Sequence, residues 1–207
     1  MSTRTIAHPS AATAPLVPPV VSMNNLPGPL SLNRLAALGS LHKLDASSGY
    51  WSEHADTLYG RAMIIASIAP FGTAACMRTA TWVWLGGEEF PNTVDVLSNS
   101  HFRSTAAGRR VRVFRRSVTA DEMMSLGDLR ITSPTRTACD LAMSADEAPP
   151  SVINALACSL MVTYHFSPDD CLRIIARNRH HKYAAQARIF FEAMRRELPE
   201  SLFVEAS

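Results

Sequence analysis

The chain has 207 residues, 47% hydrophobic and 18% charged, with a formal net charge of +2. That length and balance support one medium globular domain or two small ones, and exclude a chain that is mainly disordered. The net charge names no partner; the placement of the charges carries the information.

Residues 1–29, "MSTRTIAHPSAATAPLVPPVVSMNNLPGP", hold six prolines among small residues. Such a composition cannot support a packed core, so a disordered or polyproline-like arm is expected. It has no continuous apolar run of the kind a signal peptide needs. In "LSLNRLAALGSL", Ser31 can cap, Leu32, Leu35 and Leu38 recur at helical spacing, and Gly39 is placed to stop the turn. The pattern predicts a short helix over 31–38. "SLHKLDASSGYWSE" reads as a hairpin, with Leu41 and Leu44 ahead of a Ser-Ser-Gly turn and Tyr50 and Trp51 in the returning strand. A longer helix is predicted over 56–69, stopped by Pro70, and another in "CMRTATWVWLGG", closed by Gly86 and Gly87. Trp82 and Trp84 lie in an apolar segment, so they are read as core rather than as a base-stacking platform.

The middle of the chain is strand-like. "TVDVLS" alternates Val94 and Val96, and "RRVRVFRR" sets Val111 and Val113 against Arg110, Arg112 and Arg116, the pattern of half-buried strands. Residues 101–116, "HFRSTAAGRRVRVFRR", contain six arginines and no acid. A row of arginines on one face suits phosphate recognition. A solvated face or pairing with acidic neighbours gives the same pattern. Thr119 and Glu122 have capping-box spacing, and "DLRIT" gives one more strand.

"RITSPTRTACDLA", residues 130–142, then opens a helix: Ser133 is a natural N-cap and Pro134 suits the first helical position. Arg136 sits at the unfavourable positive end of the helix dipole, and Asp140 follows four residues later on the same face. Three readings compete: a structural clamp, a phosphate-binding arginine oriented by Asp140, or a catalytic Asp140. A nuclease-type site needs several carboxylates converging on a metal, and no E-x-K or D-x-D partner follows. The clamp is favoured. From Pro149 the chain is predicted to be helical, with Pro150 and Pro168 at first helical positions, a Ser167–Asp170 capping pattern, and a last helix over 183–198. A second basic run, "RIIARNRHHKYAAQAR", includes His180 and His181, whose adjacent positions do not suit a shared metal. Cys76, Cys139, Cys158 and Cys171 form no C-x-x-C pair and are expected to be reduced thiols. Gly86-Gly87 is not a phosphate loop, and no run is long enough for a transmembrane helix.

The segments "LHKLDASSGYW", "GRAMIIASIAPFGTAACMRTATWVWLGG", "VDVLS" and "RVRVFRRSVTADEMMSLGDLRITSPTRTACDLA" resemble, in this order, the actinobacterial relatives of the AbiEi antitoxin. The most specific element is the "T-x-P-x-R-T-x-x-D-L-A" helix, and the likeness covers about residues 41–142. The resemblance implies a winged helix-turn-helix followed by an α/β antitoxin domain. It also implies repression of a toxin–antitoxin operon, and a nucleotidyltransferase toxin opposed without a stable complex. Only one helix is predicted ahead of the hairpin, so the winged part is expected to be truncated. Residues 150–207 lack the acidic set of the endonuclease domain that some relatives carry.

The expected fold is α/β (α+β): a small mixed sheet with flanking helices, a truncated winged-helix-like N-terminal part and a helical C-terminal part. The expected divisions are a disordered arm over 1–29, the winged segment over 30–54, the antitoxin-like domain over 55–145 and a helical region over 146–207. The expected function is that of a cytoplasmic DNA-binding regulator or antitoxin of a type IV system. The alternative is a non-enzymatic interaction module that has lost operator reading. Candidate DNA contacts are Arg103, Arg109, Arg110, Arg112, Arg115 and Arg116, with Arg34 and Lys43 in the winged segment. Ser133, Pro134, Arg136, Thr137 and Asp140 form the structural motif. No catalytic residue, metal or cofactor is expected.

Overall fold

In the computed structural model, residues 17–197 are described except 29, 88, 100–104, 107 and 145–147. The fold is mixed α/β, with helices flanking two small sheets. The first sheet is built at the start of the described chain. Strand β1 (Val20–Ser22) leads through a 3-10 turn (Met23–Asn25) to helix α1 (Ser31–Ala37), then to strands β2 (Leu41–Lys43) and β3 (Ser48–Trp51). All three strands are antiparallel, in the order β1-β3-β2.

This corrects the expectation that residues 1–29 form a disordered arm, for the part that is described. Val20 lies opposite Tyr50, and Val21 is buried against Leu32 and Leu41, with Leu26, Leu35 and Trp51 packed around them. Pro18 and Pro19 precede the strand and Pro27 follows it, so no proline falls where the strand must donate. Residues 1–16 lie outside the described set. Two details of the hairpin also differ. Ser31 lies inside α1, with Leu30 at the N-cap position. The turn is closed by Asp45, whose Oδ1 accepts from the backbone N–H groups of Ser47 and Ser48. Gly49 belongs to β3, where a Cβ would meet the side chain of Leu41 and the carbonyl of His42.

A short helix, α2 (Ser52–Ala55), lies where the sequence pattern ends the hairpin segment, and the helix predicted over 56–69 follows it as α3 (Leu58–Ile68). Thr57 breaks the run in extended conformation and caps α3 by accepting from the N–H of Gly60. Strand β4 (Ala74–Ala75) follows, then α4 (Met77–Leu85) and β5 (Thr93–Leu97). Strands β6 (Thr105–Ala106), β7 (Arg109–Phe114), β8 (Met123–Leu126) and β9 (Leu129–Thr132) complete a six-stranded sheet in the order β6-β7-β5-β4-β9-β8. Strand β5 runs parallel to β7 and antiparallel to β4, and β4 runs parallel to β9. Period-2 alternation sets the two faces. Val94, Val96 and Val111 pack against Ile68 and Ala69 at the end of α3. Asp95 and Arg112 occupy the opposite face.

Thr119 and Glu122 do not form a capping box. Ala120–Glu122 is a single 3-10 turn without a side-chain cap, and the Glu122 carboxylate is used elsewhere. Helix α5 (Pro134–Ala142) starts at Ser133, whose Oγ accepts from the Arg136 N–H. Helices α6 (Pro150–Tyr164), α7 (Pro168–Arg177) and α8 (Ala184–Glu197) end the described chain, with a Ser167–Asp170 capping box on α7. These last helices share one core with the sheet: Leu160, Cys171 and Phe191 belong to the same buried cluster as Trp84, Ile131 and Ala138. Trp84 bridges them, its Nε1 donating to the Thr132 carbonyl while its own carbonyl accepts from the Tyr164 hydroxyl. The four cysteines are free thiols. Among the described residues no helix is long and apolar enough to cross a membrane.

Candidate nucleic-acid interface

The arginine-rich strand is occupied by internal pairing. Arg112 forms a two-point contact with the fully buried Asp95, Nε to Oδ1 at 2.9 Å and Nη2 to Oδ2 at 3.0 Å. Such a fork geometry uses the donors that a phosphate would need. Arg116 donates from Nη1 to Asp140 Oδ1 at 2.7 Å and from Nη2 to Ser144 Oγ at 2.9 Å, and its side chain is 8% exposed. Arg109 donates to the carbonyls of Pro91 and Leu44 and lies over the Phe90 ring. Arg115 is exposed and donates to the carbonyl of Asn99. Arg110 is exposed and has no side-chain partner among the described residues. Arg103 lies outside the described residues. The predicted footprint therefore divides. Among the described residues of the run, Arg109, Arg112 and Arg116 are tied to the fold, and Arg110 and Arg115 are exposed.

The residues of the opening helix explain where those charges go. Arg136 Nε donates to Asp140 Oδ1 at 2.9 Å, and its Nη1 reaches the Ser117 carbonyl and the Glu122 carboxylate. Arg136 and Asp140 are fully buried. Burial opposes the charge on Arg136, and the carboxylates of Asp140 and Glu122 outweigh it, so its guanidinium is held above the ordinary value. Asp140 Oδ1 thus serves two arginines, while Arg136 Nη2 and Asp140 Oδ2 are buried without a partner. Thr137 lies in the same layer, its hydroxyl bonded to that of Thr132. Neither member of the Arg136–Asp140 pair can reach a phosphate or a substrate. The residues that sequence reasoning missed are Glu122 and Arg177, which extends the chain of charges to the surface at 3.0 Å from Glu122.

Burial, followed by the charges of Asp140 and Asp95, pushes the Cys76 thiol well above its usual range. The residue after it, Met77, has φ +52 and is buried, a strained entry into α4. Asp95 supports that entry by accepting from the N–H of Arg78.

Exposed basic residues also lie on the smaller sheet and its helix. Arg34 is exposed on α1 without a side-chain partner among the described residues. Lys43, at the end of β2, donates to Asn33 Oδ1 on α1 at 2.9 Å. Helix α1 is followed directly by the β2–β3 hairpin, and the hairpin is backed by β1. Helix α1 thus precedes two strands of a three-stranded antiparallel sheet in the order β1-β3-β2. Its small core of Val21, Leu32 and Leu41 leaves Asn33 and Arg34 outward. The element is fixed to the larger sheet by Tyr50, Trp82 and Phe90, whose rings lie 4.8–5.8 Å apart, and by Arg109.

A comparison with models of protein families finds no match for the chain, and a comparison with the curated proteins finds none either.

Proposed function

We propose that the chain is a DNA-binding regulator whose contact surface is α1 with the β2–β3 hairpin, and not the arginine strand. The observation that carries this reading is the β1-β3-β2 sheet behind α1, with Asn33, Arg34 and Lys43 outward on one side. Arginine and asparagine are the side chains suited to two-point contacts with guanine and adenine edges, and lysine to phosphate. In keeping with the AbiEi resemblance, the proposed target is the chain's own promoter in a type IV toxin–antitoxin operon. The proposed toxin is a nucleotidyltransferase opposed without a stable complex.

The test is fluorescence anisotropy of the full chain with a duplex from its own promoter and with a scrambled duplex, each at low and moderate salt. Preference for the promoter that persists at moderate salt supports the reading. Equal, salt-labile binding to both duplexes leaves a basic surface without a reader.

One observation favours the alternative of an interaction module. Leu30 and Leu38, at the two ends of α1, are 77% and 71% exposed. Exposed apolar residues flanking a short helix suit a protein partner better than a phosphate backbone. Co-purification of a stable partner, with no retention of DNA, decides for that reading.

A further inference from the structure

We propose that the chain pairs with a second copy of itself along the outer edge of β8. Among the described residues β8 is the last strand of the six-stranded sheet, bonded to β9 on one side. Gly127, at φ +59, forms a two-residue turn with Asp128, so Leu126 and Leu129 are the pair that exchanges backbone hydrogen bonds. Ser125, opposite Arg130, belongs to the next, non-bonded pair, and its N–H and C=O point away from β9. Met124 is 45% exposed and Ser125 is exposed, so no described element covers this edge. Edge strands are ordinarily protected by charge, proline or shortness, and the Met-Met-Ser-Leu of β8 has neither charge nor proline. The opposite edge, β6, has two residues.

The occupant follows from what stands beside the edge. A mainly apolar groove of about 740 Å³ runs between β8 and α7, with the exposed Met124 on its lining and Phe166 and Ile174 in its walls. The strand therefore carries an exposed apolar side chain next to a hollow that such a side chain fills. A two-fold interface requires this self-complementary form, in which each copy supplies both the projecting group and its receptor. The charges of the groove agree. Arg177 pairs with Asp121 and Arg173 with Asp170, so the rim carries two acids and two arginines. A surface of one sign repels its own copy, whereas a rim with equal numbers of both signs offers that copy opposite charges. The same balance gives no pull on a polyanion, which separates this face from the DNA surface proposed on α1. Two copies set antiparallel about Ser125 each donate one N–H and accept on one C=O, which joins the two sheets. The edge is four residues long, so a weak dimer is expected.

The test is sedimentation equilibrium of the full chain at concentrations up to about 100 µM. Parallel runs use Met124→Glu, Ser125→Pro and, as a control for an exposed apolar residue elsewhere, Ile189→Glu on α8, where Ile189 is 60% exposed. The expected result is a reversible monomer–dimer equilibrium for the parent and for Ile189→Glu. Met124→Glu puts a charge where the apolar contact forms, and Ser125→Pro removes the outward donor. Each is expected to weaken dimerisation about tenfold or more. Met124→Glu alters an exposed side chain, so its thermal melt should match the parent, and it decides the matter if Ser125→Pro fails to fold. A parent that stays monomeric up to about 100 µM overturns the proposal. So does a dimer that Met124→Glu leaves unchanged, or one that Ile189→Glu weakens equally. The proposal does not rest on DNA binding, and loss of promoter binding would leave the dimer in place.

Discussion

Asp140 is the residue on which most of the internal charge converges, with Arg116 and Arg136 both bonded to its Oδ1. Replacing it by alanine leaves two guanidinium groups without their shared anion, one fully buried and the other nearly so. Breaking a buried pair on one side costs about 3–5 kcal/mol, because the surviving charge stays desolvated. Urea unfolding of Asp140→Ala is expected to show a loss of that size, and a loss below about 1 kcal/mol contradicts the clamp.

His181 gives a pH prediction. Burial, then the charge of Arg116, depress its pKa below the ordinary 6.5, with Arg136 adding to this and Asp140 opposing it. The unfolded chain therefore takes up the proton first as pH falls. Stability is full above about pH 6.5 and declines below it, down through the depressed folded value. The stability of His181→Gln is expected to fall less steeply with pH in that window. An unchanged slope counts against the assignment.

The sequence made only part of this residue-scale picture legible. The Arg136–Asp140 pair spans four positions of one helix, and i,i+4 geometry announces it. Glu122 and Arg116 lie 14 and 24 residues from their partners, and no local pattern carries such contacts. That is why six arginines in one run looked like a phosphate footprint. Replacing Arg110, Arg112 and Arg116 together would remove two internal ion pairs along with any DNA contact.

Among the elements, those with strong local signals were readable: α4, α5, α7, and the alternating strands β5 and β7. Strand β1 was not, since its strand partner among the described residues, β3, lies about 30 residues downstream, Val20 facing Tyr50. The proline content around it spoke against order. Strand β4 has two small residues, too few for any period to show. Helix α2 has four residues, too few for a helical period to show, whereas α3 was readable.

The junction between the two sheets supplies a prediction at this scale. Gly108 turns with φ +69 between β6 and β7, and a Cβ there would stand 2.4 Å from that of Asp45 in the hairpin turn. Beside it, Arg109 ties the Leu44 carbonyl to the larger sheet. Gly108→Val is expected to force the hairpin away from β7, at a cost of about 1–3 kcal/mol. Hydrogen exchange should then speed up at the amides of β2 and β3 and stay unchanged in α6 and α7. Uniform acceleration throughout the chain contradicts a local junction.

For the molecule as a whole, one core joins the larger sheet to α6, α7 and α8, and the ion pairs of Arg116 and Arg136 are buried there. The smaller sheet with α1 docks through an aromatic cluster and exposes Arg34 and Lys43. The arginine run in the sequence pointed to the larger sheet, and the single helix predicted ahead of the hairpin pointed to a truncated N-terminal part. The third strand behind α1 is the observation on which the proposed contact surface rests, and it was the less readable part of the fold.

The most direct measurement is anisotropy of the promoter duplex with the parent, with Arg34→Ala/Lys43→Ala, and with Arg110→Gln. Both variants alter only exposed side chains, so their thermal melts should match the parent. The account predicts that the double variant loses binding and that the slope of log K against log salt falls by roughly one to two. Arg110→Gln is predicted to bind as the parent does. A double variant that binds like the parent, with Arg110→Gln impaired, would contradict the account and return the contact to the arginine strand.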